Sequence, residues 1–538
     1  MHAGHTVPGG PITLRPTGSL SFLTTTSIVS AIYFLIGVSF AATGPGLQGD
    51  EAYLLEGIVR LLRGDQVLQL MATPYHGSLK TYILLPVFAI TGVSVFWARV
   101  VSLAMGFGAI AGVGVFMDRR FGRRSAVAAM AILAIHPGYV SAMVFDSTGL
   151  PLLMLALGGV LIALNNLLTR GDRFSAFMLG TTIGVAGWAR ANFVWPAAAL
   201  AITLVLFREP ALRSWRRLTM PVIAGGLTGA FPLVLYQLLS HGGTFSYMSL
   251  AGSHGTPHVA DRFRVMLDVV FYDSHRRYIW GSGQRPEFET LFCAVLVLIA
   301  LSSALLDPRG DEGDCGHWTR FAALWLLLAI SLTFTSRMPL GPHHFLAYLP
   351  IAVIAVAGWA AQFSRGRLAR SGLVIGVAAI YAAGAISWDV RTVRGLRATG
   401  GVDLWSNSID IVEREVERRA RQRAPRIVSW GPNFSLYVLS HGRIEPVPLF
   451  WKRSATSGDS GKTWESEVRD GGLFVLLSDN VRDVPTTARA FRNALHCSGK
   501  QFETVVVRQH NGEGFAEIYD VPPTLEGPGR TTSGDKLE

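Results

Sequence analysis

Long apolar runs recur along residues 20–390 of this chain, and runs of about 20 apolar residues are typical of membrane-spanning helices. Only 16% of the 538 residues are charged, whereas a soluble protein carries about 25%. We therefore predict a polytopic α-helical membrane protein. The same composition excludes a disordered, collagen-like or disulfide-stapled chain.

The apolar runs predict about eleven spans with the amino terminus inside. They lie near 20–42, 97–117, 125–144, 149–167, 174–189, 191–207, 218–240, 289–306, 320–335, 344–363 and 371–388. The loops between them alternate between Arg-rich and Arg-poor. Because short basic loops stay in the cytoplasm, the Arg-poor set, with the long loops 43–96 and 241–288, is predicted to face outward.

The apolar stretch 81–96 does not fit this alternation, because counting it as a span reverses the Arg pattern of every later loop. Pro86 also interrupts its helical regularity. We interpret the stretch as an interfacial or re-entrant helix, with a true span as the alternative.

The chain is predicted to divide into four parts. A cytoplasmic segment, a transmembrane domain, an extracytoplasmic α/β domain and a flexible tail cover 1–19, 20–388, 389–521 and 522–538, respectively. Strands are predicted at 426–430 and 471–479, and a hairpin is predicted at 504–521 with its turn at Asn511 and Gly512.

The net charge of +11 would suggest a nucleic-acid partner in a soluble protein. Here the arginines in short loops account for it, and no basic stripe with interleaved aromatics is seen, so we expect no nucleic-acid partner. The three cysteines, Cys293, Cys315 and Cys497, are scattered and do not form the pattern of a disulfide framework or a metal cluster.

Three acids are the candidate catalytic residues. Asp50 and Glu51 follow the first span, at the start of a predicted helix where carboxylates are also favoured as caps. Adjacent acids at a membrane surface suit a general base or a cation site, and we expect Asp50 to be the base and Glu51 to brace the helix. Asp146 returns to the same face, either as a helix cap or in a supporting or metal-binding role.

A group of cations on the outward side could bind phosphate. Lys80 is the only lysine in the first 451 residues, and a compact ammonium suits a phosphate, although a snorkelling anchor is the alternative. Arg190, beside Asn192, and Arg337 and His344 lie in other outward loops. No metal site is predicted, because the adjacent His343 and His344 point in different directions on a helix, but a divalent ion stays an open alternative.

Several motifs occur in an order that resembles a known family. They are DEAY at 50–53, YHGSLK at 75–80, GVSVFWAR at 92–99, RRFGRR at 119–124, GWARANF at 187–193 and HHFLAYLP at 343–350. Over about residues 20–390 this order resembles GT-C glycosyltransferases of the protein O-mannosyltransferase and lipid A aminoarabinose transferase type. Members often have Lys-Pro-Pro-Leu where this chain has Gly-Ser-Leu-Lys, so the register of Lys80 differs from the family pattern.

The resemblance implies an enzyme of the cell inner membrane that takes a sugar from a polyprenyl-phosphate donor on the outer face. The sugar would pass to a hydroxyl group of a lipid, glycan or protein, and the acid matching Asp50 would be the base. Further candidates for acceptor or loop contacts are Tyr53, Tyr75, His76, His275 and Arg276. The alternatives are a lipid or polysaccharide transporter or flippase, and a non-catalytic membrane scaffold.

The alternation of loops makes a prediction about topology. A tag after residue 538 should be accessible from outside the cell, and a tag within 208–217 should be shielded, because an odd number of spans separates the tail from the inside amino terminus. Protease or thiol-reagent accessibility in intact cells measures both tags. Two tags on one side would contradict the arrangement.

Overall fold

The computed structural model describes residues 19–146, 149–207, 215–247, 259–272, 314–336, 340–364, 368–420, 423–450, 460–479 and 487–523, with a few single positions between them. Its first part is helical apart from one short hairpin of β1 (Met71–Thr73) and β2 (His76–Gly77). The helices are α1 (Ser19–Ala41), α2 (Gly49–Arg63), α3 (Leu79–Thr91), α4 (Val95–Phe121), α5 (Arg123–Ile135), α6 (Pro137–Val144), α7 (Leu150–Arg170), α8 (Arg173–Ala189), α9 (Val194–Leu206), α10 (Trp215–Gly229), α11 (Phe231–Leu239), α12 (Val259–Tyr272), α13 (Asp314–Thr333), α14 (Pro342–Leu346), α15 (Leu349–Phe363) and α16 (Leu368–Thr399).

Five helices of the described part are long and apolar enough to cross a membrane, namely those at Leu23–Ala41, Val95–Phe121, Leu150–Arg170, Cys315–Thr333 and Leu368–Thr399. Two bent pairs, α5 with α6 and α10 with α11, raise the number to seven if each pair is one span, and they bend by 60° and 64°. A proline in the first turn of α6 and of α11 accounts for the two breaks.

The prediction of a polytopic helical protein is therefore confirmed, whereas the count of eleven spans stays a prediction. The runs at 174–189, 191–207 and 344–363 are represented by α8, α9 and α15, which have 17, 13 and 15 residues. A 30 Å hydrocarbon core needs about 20 helical residues, with a range of about 17–25, so α8 is at the lower limit and α9 and α15 alone are too short. The run at 289–306 lies almost entirely outside the described residues.

The stretch 81–96 forms no long helix. It is divided between α3, which has 13 residues and contains Pro86, and the start of α4. A helix of this length extends for about 20 Å, which is less than the thickness of the hydrocarbon core. This length agrees with the interpretation of 81–96 as an interfacial or re-entrant element.

The carboxyl-terminal part folds around a five-stranded mixed sheet of order β4–β3–β5–β7–β6. Its elements are α17 (Ser408–Ala420), β3 (Arg426–Ile427), α18 (Pro432–Leu439), β4 (Val447–Pro448), α19 (Ser460–Asp470), β5 (Gly472–Leu477), α20 (Thr487–Cys497), β6 (Glu503–Arg508) and β7 (Gly514–Val521). β3 runs parallel to β4 and β5, and β7 pairs antiparallel with β5 and β6. Two apolar clusters lie in this part. One contains residues of α17, and the other contains residues of α19 and α20.

This carboxyl-terminal part packs directly against the start of α2. The backbone N–H of Gly46 donates to the backbone carbonyl of Trp405 (2.7 Å), and the Ser435 hydroxyl donates to the carbonyl of Leu47 (2.8 Å). A Cβ atom on Gly49 would lie only 2.7 Å from the Cα of Gly431, so the two backbones approach as closely as glycine allows. The first turn of α2 therefore lies between the membrane part and the carboxyl-terminal part.

Candidate active site

The amino-terminal cap of α2 is formed by Gln48. Its Oε1 accepts hydrogen bonds from the backbone N–H groups of Asp50 (2.6 Å) and Glu51 (3.3 Å). Two orphan donors of the first turn are thus satisfied by the Gln48 amide, and neither carboxylate is the cap. The capping alternative that the sequence offers for these two acids is therefore not the arrangement found.

Glu51 is held by a buried arginine of α4. Arg99 Nε and Nη2 lie 3.0 and 2.8 Å from the two carboxylate oxygens of Glu51, and both side chains are 1% exposed. The same guanidinium donates to the carbonyls of Pro45 (2.9 Å) and Gly46 (3.1 Å). Glu51 and Arg99 therefore fix the turn that leads into α2, and the predicted catalytic role of Glu51 stays a prediction.

Lys80 and Asp146 form a second buried ion pair. Lys80 Nζ lies 2.6 Å from Asp146 Oδ2, and both side chains are at most 2% exposed. Asp146 Oδ1 also accepts a hydrogen bond from the backbone N–H of Leu150 (3.1 Å), at the start of α7. Contact between Lys80 and a donor phosphate, which stays a prediction, would require this pair to open.

Arg190 lies at the break between α8 and α9, next to the hairpin of β1 (Met71–Thr73) and β2 (His76–Gly77). His76 and Arg190 form an isolated β-bridge, and the N–H of Ala191 donates to the carbonyl of Tyr75 (3.0 Å). The Arg190 side chain is buried, yet its Nε and Nη1 have no hydrogen-bond partner among the described residues. A buried guanidinium with unpaired donors suits an anion.

A row of aromatic rings lies beside Arg190. The hydroxyl of Tyr53 is 2.5 Å from Nδ1 of His76, and the ring centroids of Tyr75 lie 4.0 Å from His76 and 5.3 Å from Tyr247. Burial, with Arg190 nearby, holds the pKa of His76 well below its usual range, and burial raises that of Tyr53. Both side chains are therefore neutral at pH 7.

One cavity of about 1210 Å³ brings several of the predicted residues together. Asp50, Tyr75, Arg190 and His344 line it, although they come from four separate segments of the sequence. Much of the remaining wall is apolar and includes Ile183, Phe193, Val194, Trp195, Ala197, Leu233, Phe245 and Leu340. The cavity is thus lined both by charged side chains and by apolar residues that a hydrocarbon chain can contact.

The surroundings of Asp50 make it a stronger base. Burial raises its pKa to about 6, and the negative charge of Asp146 acts in the same direction. The amide of Gln48 and the positive charge of Arg190 partly offset this increase. At pH 7 most of the carboxylate is still ionised, and its affinity for a proton is greater than that of an exposed aspartate.

Arg337, His275 and Arg276 lie outside the described residues. Within the described ranges, no three His, Cys, Asp or Glu side chains converge as metal ligands, and a divalent ion stays an open alternative. Gln48 and Arg99 are the residues that the sequence analysis missed. The sequence does indicate a partner for Arg99, because an arginine at the edge of a predicted span is costly unless it is paired.

The fold is similar to that of two solved glycosyltransferases. The crystal structure of ArnT, a lipid A aminoarabinose transferase, from Cupriavidus metallidurans bound to undecaprenyl phosphate shares 14% sequence identity with this chain at a TM-score of 0.60, and the match covers 93% of this chain and 98% of ArnT. The apo structure of ArnT also gives a TM-score of 0.60, at 14% identity and coverage of 92% and 97%. The arabinofuranosyltransferase AftD from Mycobacteria matches at 14% identity and a TM-score of 0.50, over 92% of this chain and 41% of AftD.

These matches confirm the resemblance to GT-C enzymes at the level of the fold. No family model matches the sequence, and no curated protein matches it either. At 14% identity the structural similarity establishes a common architecture, and the activity has to be argued from the residues of the site.

The pair of Glu51 and Arg99 makes a prediction about stability. Arg99→Met should lower stability by about 3–5 kcal/mol, because it leaves the Glu51 carboxylate buried without its partner. Thermal unfolding of the detergent-purified protein measures this loss, and adding Glu51→Gln should recover part of it.

Arg443→Met is the matched control, because it removes an ion pair with Glu417 in which both side chains are more than 40% exposed. This variant should keep nearly the wild-type unfolding temperature. Equal shifts for Arg99→Met and Arg443→Met would contradict the bracing role.

Proposed function

We propose that this chain is an integral-membrane glycosyltransferase that moves a sugar from a polyprenyl-phosphate donor to an acceptor hydroxyl on the outer face of the cell inner membrane. The observation that carries the proposal is the buried Arg190, whose Nε and Nη1 find no acceptor in the described part of the chain, in the same cavity as Asp50. A donor phosphate would satisfy the guanidinium, and the carboxylate would act on the acceptor.

The lining of the cavity fits the two halves of such a donor. Arg190 and His344 are polar lining residues, and the apolar residues of α9 and α11 in the wall can contact a polyprenyl chain. Lys80 would add a second positive charge if it exchanged Asp146 for the phosphate. A fold similar to that of ArnT bound to undecaprenyl phosphate supports this kind of donor.

The proposed reaction is a single displacement. Asp50 removes the proton from the acceptor hydroxyl as its oxygen attacks the anomeric carbon of the donor sugar. The bond between that carbon and the phosphate oxygen breaks, and polyprenyl phosphate leaves with the electron pair. Arg190 stabilises the charge that develops on the departing phosphate, and Asp50 then loses the proton to water.

The role of Asp50 is tested by Asp50→Asn, which should lower the rate of sugar transfer about 10²–10⁴-fold because the amide cannot accept the proton. Donor binding should persist, since Asp50 is not the phosphate ligand. Asp65→Asn is the control. This residue lies just after the carboxyl end of α2, its side chain is 41% exposed, and the variant should keep the wild-type rate. A near-normal rate for Asp50→Asn would remove Asp50 from catalysis.

The pH dependence of transfer follows from the same carboxylate. Because the base acts in its deprotonated form and its pKa is raised to about 6, kcat/KM should fall as the pH drops through 6 and level off above it. A rate profile from pH 4.5 to 8 measures the midpoint. A profile that stays flat down to about pH 4.5 would contradict the raised pKa.

The role of Arg190 is tested through donor binding. Arg190→Met should weaken undecaprenyl phosphate binding about 10- to 150-fold, because hydrogen bonds between charged groups contribute about 1.5–3 kcal/mol. Arg190→Lys should recover only part of the loss, since the ammonium lacks the planar fork. Arg63→Met, which removes a partly exposed arginine of α2, is the control. Unchanged affinity in Arg190→Met would contradict the assignment.

A further inference from the structure

The segment 190–192 holds unsatisfied donors and an unsatisfied acceptor side by side. Asn192 lines the cavity, and its Oδ1 is buried without a hydrogen-bond partner among the residues that the structure describes. Arg190, two residues earlier, has the unpaired Nε and Nη1. An unpaired buried acceptor costs about 1–3 kcal/mol, so native sites that keep one usually have a partner to bind.

The backbone of this segment is firmly held. Ala191–Phe193 is a 3₁₀ turn, the N–H of Phe193 donates to the carbonyl of Arg190 (2.9 Å), and the side chain of Phe193 is buried. The backbone N–H of Ala191 donates a hydrogen bond to the carbonyl of Tyr75 on the hairpin loop. Arg190 and Asn192 therefore line the cavity from a fixed turn.

A glycosyl phosphate supplies what both side chains lack. Its phosphate oxygens accept hydrogen bonds, and the hydroxyl groups of its sugar donate them at a distance of a few bonds. A bare phosphate would satisfy Arg190 alone, and a polyprenyl chain would satisfy neither residue. We propose that Asn192 accepts a hydrogen bond from a donor-sugar hydroxyl close to the glycosidic phosphate, while Arg190 binds the phosphate; this inference rests on the proposed function.

The charges around the turn define the class of sugar. Among the described residues that line the cavity, Asp50 is the only carboxylate, and it serves as the base. The amide of Gln237 and the hydroxyl of Thr244 also line the cavity and are hydrogen-bonded to each other. A cationic amino sugar would pair with Asp50 and neutralise the base, so a neutral, hydroxylated donor sugar fits these residues better.

The test compares the affinities of the full-length protein in lipid nanodiscs for five probes. They are undecaprenyl phosphate alone and its esters with mannose, glucose, arabinose and 4-amino-4-deoxyarabinose. At least one neutral sugar ester should bind the wild-type protein about 5- to 150-fold more tightly than undecaprenyl phosphate, since one satisfied acceptor is worth about 1–3 kcal/mol. Asn192→Leu should abolish this gain and leave the affinity for undecaprenyl phosphate unchanged.

Asn192→Asp is the second variant, because it keeps the size of the side chain. Its carboxylate should shift the affinity ratio toward the 4-amino-4-deoxyarabinose ester by about tenfold, as expected for one charge-assisted hydrogen bond. Asn511→Leu, in the exposed hairpin turn, is the control and should bind all five probes like the wild type. Unfolding temperatures verify that each variant is folded.

Three results would overturn the role of Asn192. The first is a gain in affinity from a neutral sugar that persists in Asn192→Leu. The second is a loss of affinity for undecaprenyl phosphate in Asn192→Leu that equals its loss for the sugar ester. The third is a wild-type protein whose affinity is not increased by any neutral sugar or is highest for the amino sugar. A wild-type protein that binds none of the five probes would instead overturn the proposed function, and the role of Asn192 with it.

Discussion

The geometry of the site depends on the buried pair of Arg99 and Glu51. Arg99 comes from a membrane helix, and it binds both carboxylate oxygens of Glu51 and the two carbonyls that precede α2. A guanidinium is suited to this because its planar fork offers several donors in fixed directions. Four hydrogen bonds from one side chain thus define how the chain leaves the first span and where α2 begins.

Because this turn is fixed, the neighbouring residues have different roles. Gln48 caps the helix and Glu51 braces it, so Asp50 between them is left to face the cavity. The carboxyl-terminal part packs against the start of α2, since Gly49 and Gly431 allow the two backbones to approach closely. Burial raises the pKa of Asp50, which makes its carboxylate a stronger base for the proposed proton transfer.

The sequence predicted which candidate residues lie on the same face of the membrane part. It did not predict which charged side chains form ion pairs. Asp50, Arg190 and His344 were placed on one face by the alternation of loops, and they do line one cavity. Lys80 was singled out by its rarity, but its partner Asp146 lies 66 residues away, and no local pattern reports such a contact.

The same limit applies to Arg99, which belongs to the motif GVSVFWAR and pairs with Glu51, 48 residues away. Helix positions were predicted well, and the run at 174–189 agrees with α8 within one residue. The bends before α6 and α11 were not predicted, because an average over an apolar run does not register a single proline.

The most direct test of the account is a cryo-EM structure of the protein with bound undecaprenyl phosphate. The account predicts the phosphate within hydrogen-bond distance of the Arg190 guanidinium and the polyprenyl chain along the apolar wall of the cavity. A phosphate bound at another face of the membrane part, with the Arg190 donors still unpaired, would contradict it.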